Sequence, residues 1–195
     1  MKKILSLLLV FSTATFTSLD AQLVWKSGYV ILTSGDSVKG DIHVNPKKEL
    51  DLFSKVTLKS LITTKTYHAN QVKEYGFENE HFVARKVDDD MQFLKAISSG
   101  RVNLYELQYE EQRGSDIVVE SDYYMEKNDG TSTEPQKVKA NKFKKTVEEM
   151  MSDNSDLVTR VQGDDKKYEI ADMESVVDEY NSWYVKQNGT YQGSR

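Results

Sequence analysis

The sequence contains no cysteine. That absence removes disulfide staples, thiolate metal sites, thiol nucleophiles and c-type haem attachment together. Stability must come from a packed core, which a chain of 195 residues can supply. Proline occurs only at Pro46 and Pro135, so the chain is neither a Pro-rich linker nor a stalk. Positive charge is also short. There are 26 basic against 31 acidic residues, and without Lys2, Lys3 and Asp20 the balance is 24 against 30, a net charge of −6. Such a surface repels nucleic acid, whose binding rests on phosphate neutralisation. Beyond Ala21 no apolar run approaches the roughly 20 residues of a membrane-spanning helix.

What the N-terminus does contain is an export pattern. Lys2 and Lys3 precede an apolar run over residues 4–11, then Ser/Thr-rich residues, then Leu19-Asp20-Ala21. This order of charge, short apolar run and small residue predicts a signal peptide over residues 1–21, cleaved after Ala21. No cysteine follows the run to carry a lipid anchor. The expected location is periplasmic or secreted.

Residues 28–126 read as strands. Residues 29–33 are rich in β-branched and aromatic side chains, and residues 38–44 follow with Val38, Ile42 and Val44 apolar; Gly35-Asp36 between them is a hairpin signal because glycine supplies positive φ. The surrounding stretch SGDSVKGDI contains two glycines, a lysine and acids, as a phosphate loop would. A phosphate loop, however, needs Gly-Lys-Ser/Thr opening a helix. Here Gly40 leads into Asp41 and a strand pattern, which predicts a turn. Further strands are expected over 56–62, 67–77, 81–85, 93–97, 101–109, 117–119 and 123–125. On the return strand Tyr105, Leu107 and Tyr109 share one face, and Val102 and Leu104 the other.

After Pro135 the apolar period changes. Phe143, Val147, Met150 and Met151 make a helical stripe, and Leu157, Val158 and Val161 a second, capped by Asn154 or Ser155. Met173, Val176, Val177, Tyr180 and Tyr184 make a third, with Asp172 and Glu174 suited to its N-terminal dipole. The first helix carries Lys142, Lys144 and Lys145 at its start, against the dipole, so it must depend on packing. The expected fold is α+β: an antiparallel β-rich meander or roll over residues 22–137, then two to three short C-terminal helices over 138–185. Residues 186–195 are expected to be a flexible tail.

These segments carry a resemblance. Gly28-Tyr29-Val30 with Gly35-Asp36-Ser37-Val38-Lys39-Gly40 resembles the opening of a group of uncharacterised secreted proteins common in Bacteroidota. Residues 67–77, YHANQVKEYGF, are similar to that group's second block, and Phe93 to Ile97 through Gly100 to Tyr105 to its third. Tyr168 and Val177-Asp178-Glu179-Tyr180-Asn181 resemble its close. The resemblance implies export and a β-rich fold with C-terminal helices. It implies no activity. Similar proteins often carry cysteine in the helical loop where this chain has Asn154 or a neighbour, so no disulfide or lipid role tied to that cysteine applies here.

Catalytic and metal patterns are sparse. His43, His68 and His81 are scattered among strands with no H-x-H or H-E-x-x-H spacing. Neither a G-x-S-x-G elbow nor a Ser-x-x-Lys pair occurs. Asp88-Asp89-Asp90 lacks the spaced ligands and closing Glu of a calcium loop, and reads as a solvated turn. No cofactor or metal is expected. Eleven tyrosines could line a groove for sugar or peptide, with Tyr105, Tyr109 and Tyr123 as candidate binding residues; tyrosine is also an ordinary strand residue. Two functions follow from this reading. One is a non-catalytic envelope module binding a protein, peptide or glycan partner; the other is a hydrolase whose acids and histidines converge only in the fold.

Overall fold

Two antiparallel meanders share one sheet. The first is β1 (Val24–Leu32), β2 (Ser37–Val44), β3 (Lys55–Lys59) and β4 (Thr64–His68). The second is β5 (Val72–Phe77), β6 (Glu80–Val87), β7 (Asp90–Ser98), β8 (Val102–Arg113), β9 (Asp116–Lys127) and β10 (Gln136–Val138). Antiparallel pairing of β1 with β5 joins them, giving the order β10-β9-β8-β7-β6-β5-β1-β2-β3-β4. Three helices follow: α1 (Phe143–Met151), α2 (Ser155–Gln162) and α3 (Met173–Asn188). The fold is α+β. This computed structural model describes residues 24–130, 134–163 and 168–189. The expected signal peptide lies outside the described residues, as does the end of the expected tail; α3 itself runs past Val185 to Asn188.

Turn chemistry sets the strand lengths. Gly35 adopts φ 95° in the β1–β2 turn, and Leu32 N–H donates to the Asp36 carbonyl at 2.8 Å. The stretch SGDSVKGDI is therefore a hairpin turn and the strand that leaves it. Two expected strands are shorter than their apolar runs. The run over 56–62 stops pairing at Lys59, because Ser60 N–H and hydroxyl both turn back to the Thr63 carbonyl. Leu61 and Ile62 thus stand at an exposed hairpin tip. The run over 67–77 breaks at Ala69-Asn70-Gln71, where the Gln71 side chain accepts from His68 N–H and closes a turn.

Close backbone approach shapes the seam. Gly28 faces Gly40 across β1–β2 and Phe77 across β1–β5. A Cβ on Gly28 would lie 2.3 Å from the Gly76 carbonyl oxygen, and one on Gly40 2.4 Å from that of Lys59. Only glycine fits at such distances.

Two cores result. One face of the sheet buries Val30, Ile42, Leu58, Tyr75, Phe82 and Phe93. Tyr75 stacks on Phe82 at 4.7 Å, with Phe93 edge-on at 4.9 Å, geometries favoured by the ring quadrupoles. A 3-10 helix, Glu49–Phe53, touches β3, β7 and β8 and sets Phe53 against Phe82. The second core joins Val102, Leu104 and Met125 to Phe143, Val147, Met151, Leu157, Val161, Val177 and Tyr180 of the helices. Asn154 caps α2, accepting from Leu157 N–H at 3.1 Å. α1 has no side-chain cap, and its buried face anchors it.

Candidate functional site

The register along β1 decides which groups face outward from the first core. Val30 is buried there, so Tyr29 and Ile31 point to the opposite face. Ile31 pairs with Glu74 of β5, Glu74 with Val83 of β6, and Arg85 lies two residues further along the same face. Tyr29, Ile31, Glu74 and Arg85 floor a cleft of about 940 Å³ at the seam of the two meanders. Thr33 and Gly35 of the first turn, Asn70 of the β4–β5 turn and Lys73 near the start of β5 form its rim. The two turns are tied together, since Thr33 N–H donates to the Gln71 carbonyl at 3.1 Å. Met91, half exposed, adds a flexible apolar side chain from β7.

A polar network fixes one wall. Arg85 Nε donates to both Glu126 oxygens at 3.1 Å, and Nη2 to Oε2 at 3.0 Å. Nη1 donates to the Ala84 carbonyl. The Tyr105 hydroxyl donates to Glu126 Oε2 at 2.7 Å and accepts from Asn103 Nδ2 at 2.9 Å. Asn103 in turn accepts from Gly100 N–H at 3.0 Å. The chain of bonds runs from β6 across β8 to β9. Burial opposes the Arg85 charge, but Tyr105 and Glu126 more than offset it and hold the guanidinium ionised. Burial likewise pushes the Tyr105 phenol up, so it stays a neutral donor.

At the other side of the floor His81 Nε2 lies 3.5 Å from Glu74 Oε2, beyond a well-formed hydrogen bond but within ion-pair reach. The contact with His81 holds the Glu74 carboxyl below its ordinary range against partial burial, and Arg85 acts in the same direction. Burial and the Glu74 charge raise the Tyr29 phenol. The charged groups of the floor are thus already matched. What the cleft presents to a ligand is an apolar and aromatic floor with hydrogen-bonding edges.

The three candidate tyrosines do not form one surface. Tyr105 is 2% exposed, with its hydroxyl spent inside the network. Tyr109 shares its face but stands out on the exposed arm of β8. Tyr123 pairs opposite Glu106, on the reverse face, where it packs against the helical core. The histidines also stay apart: His43 packs on Trp25 at 5.0 Å, His68 is exposed, and His81 meets Glu74. Asp88 and Asp89 form the β6–β7 turn, Asp88 with φ 54°. Among the described residues no three His, Asp or Glu side chains gather to hold a metal ion. Sequence reasoning missed Tyr29, Glu74 and Arg85. The available signal was the alternation of Tyr29 and Ile31 about Val30, which marks a second useful face. No family model, curated protein or solved structure matches the chain.

Proposed function

We propose that this protein is an exported, non-catalytic binding module of the cell envelope, which takes an extended peptide segment of a partner protein in the seam cleft. The observation that carries this is the cleft itself: roomy, floored by Tyr29 and Ile31, and bordered by Arg85 and Glu74 side chains that are already paired. Pockets of this kind bind through apolar contact and a few placed polar groups. The export pattern of residues 1–21, and the likeness of the glycine and tyrosine blocks to secreted Bacteroidota proteins, support an envelope or secreted partner.

Chemical-shift mapping with a set of extended peptides tests it. Binders should shift the amides of Tyr29, Ile31, Lys73 and Arg85, and Ile31→Glu should abolish the shifts while the fold persists. Perturbations confined to the helices or to the β8–β9 arm would rule the cleft out. The Glu74–His81 contact supports a hydrolase as the second reading, in which the imidazole serves as base and the carboxylate orients it. That reading requires turnover of a peptide or glycoside substrate that both Glu74→Gln and His81→Asn abolish.

A further inference from the structure

We infer that the β3–β4 hairpin is a membrane-surface anchor, with Leu61 and Ile62 inserting into the interface of an anionic lipid bilayer. The two aliphatic side chains stand fully exposed at the apex of a four-residue turn. Nothing in the fold uses them.

The turn beneath them is closed on its own hydrogen bonds. Ser60 N–H and hydroxyl both donate to the Thr63 carbonyl, at 2.8 and 3.1 Å, and the Thr63 N–H returns to the Ser60 hydroxyl at 3.2 Å. Ile62 N–H points at the same oxygen at 3.4 Å. These bonds pair the N–H groups of Ser60, Ile62 and Thr63 and the Thr63 carbonyl, which lowers the backbone desolvation cost of seating the apex at the lipid interface, where the remaining carbonyls still meet water and headgroups.

Charge selects the kind of surface. The whole chain is acidic, yet the hairpin over residues 55–68 contains Lys55, Lys59 and Lys65 and no aspartate or glutamate; Lys55, at its base, is paired with Asp51. Lys59 and Lys65 sit one strand-end behind the apex and form no ion pair among the described residues. Their ammonium groups rest over the rings of Trp25 and Tyr67, at 5.7 and 4.6 Å. Trp25 is itself well exposed. Aliphatic tip, lysine collar and tryptophan flank follow the order of hydrocarbon, headgroup charge and interface in a bilayer with anionic lipid. A convex two-residue knob buries little area against a flat protein surface, whereas a deformable bilayer can wrap it. No described helix is long and apolar enough to cross a membrane, so the attachment proposed is peripheral. It is independent of the seam cleft.

Vesicle co-sedimentation tests the proposal, using the chain beginning at Gln22, which holds every described strand and helix. Phosphatidylcholine vesicles are compared with ones containing about a third phosphatidylglycerol. The chain should bind the anionic vesicles, and Leu61→Ser with Ile62→Ser should weaken binding about tenfold or more, given the apolar area lost. Lys59→Gln with Lys65→Gln should weaken it and reduce its salt dependence. In a Trp183→Phe background, Trp25 emission should move to the blue on anionic vesicles alone. Both double variants change exposed side chains and should melt as the parent does. The anchor is refuted if the Leu61/Ile62 variant partitions like the parent, or if the parent does not bind anionic vesicles at low salt. It is equally refuted if the variant instead loses a lipid-free self-association on gel filtration, which would make the tip a protein-docking knob.

Discussion

Single hydroxyl and carboxyl groups hold the wall of the cleft. The Tyr105 hydroxyl serves Glu126, Asn103 and Arg85 at once, so Tyr105→Phe leaves Asn103 short of an acceptor. The expected loss is about 1–2 kcal/mol. Glu126→Ala removes the counter-ion of Arg85 and should cost about 2–3 kcal/mol, less than a fully buried pair because Arg85 keeps part of its side chain in water. Urea unfolding of the two variants checks both values, and a loss under about 0.5 kcal/mol for Glu126→Ala would show the network to be surface decoration. Glu74 gives a pH signature. Its folded carboxyl titrates below the ordinary value of 4.5. Its contribution is therefore present above that value and is lost as pH falls through the depressed one. Glu74→Gln should flatten this part of the acid limb in denaturation curves run from neutral to acid pH. An unchanged limb would place the acid sensitivity in other carboxylates.

Elements are joined by the motifs that carry the resemblance. The close of the resembling sequence, Val177-Asp178-Glu179-Tyr180-Asn181, has each polar side chain assigned. Asp178 accepts from the Ser98 hydroxyl, Glu179 pairs with Arg160, and the Tyr180 hydroxyl donates to Asp153. Asn181 accepts from Val102 N–H and donates to its carbonyl, fastening α3 to the start of β8. The glycines of the opening block divide by cause. Gly40 cannot carry a side chain because the Lys59 carbonyl occupies the space, while Gly35 has open space around it and only its positive φ to protect. Gly40→Ala should thus cost about 2–3 kcal/mol and Gly35→Ala about 1 kcal/mol. Lys39→Ala, on an exposed strand position, should change stability by less than about 0.5 kcal/mol. Thermal melts of the three decide it; a loss at Gly40 no larger than that at Gly35 would mean that the Lys59 carbonyl gives way and close approach does not govern Gly40.

On the scale of the whole molecule the sheet belongs to two cores, and the helices complete only one of them. Val102, Leu104 and Met125 are buried by α1, α2 and α3. A chain cut before Asn141 exposes that face and should lose its cooperative melt and bind a hydrophobic dye; a cut chain that still melts sharply would make the β-module self-sufficient. The sequence by itself determined the order of parts: strands first, then a switch to helical period after Pro135, with Asn154 or Ser155 as a cap and Gly35-Asp36 as a turn. Those features are local, set by backbone sterics, capping and the spacing of apolar residues within one element. It also separated Val102 and Leu104 from Tyr105 and Leu107, because alternation along a strand is fixed by the pleat. It overran the strands at Ser60 and Ala69, since an apolar run does not reveal where hydrogen bonds stop it. Only the tertiary structure decided that Tyr105 is spent in a buried network, that Tyr123 lies on the reverse face, and that Tyr29, Glu74 and Arg85 share one cleft. These three sit on β1, β5 and β6, brought together by the pairing of β1 with β5 across forty residues of chain. Such a pairing depends on long-range register and close backbone approach at Gly28, and no local pattern encodes either.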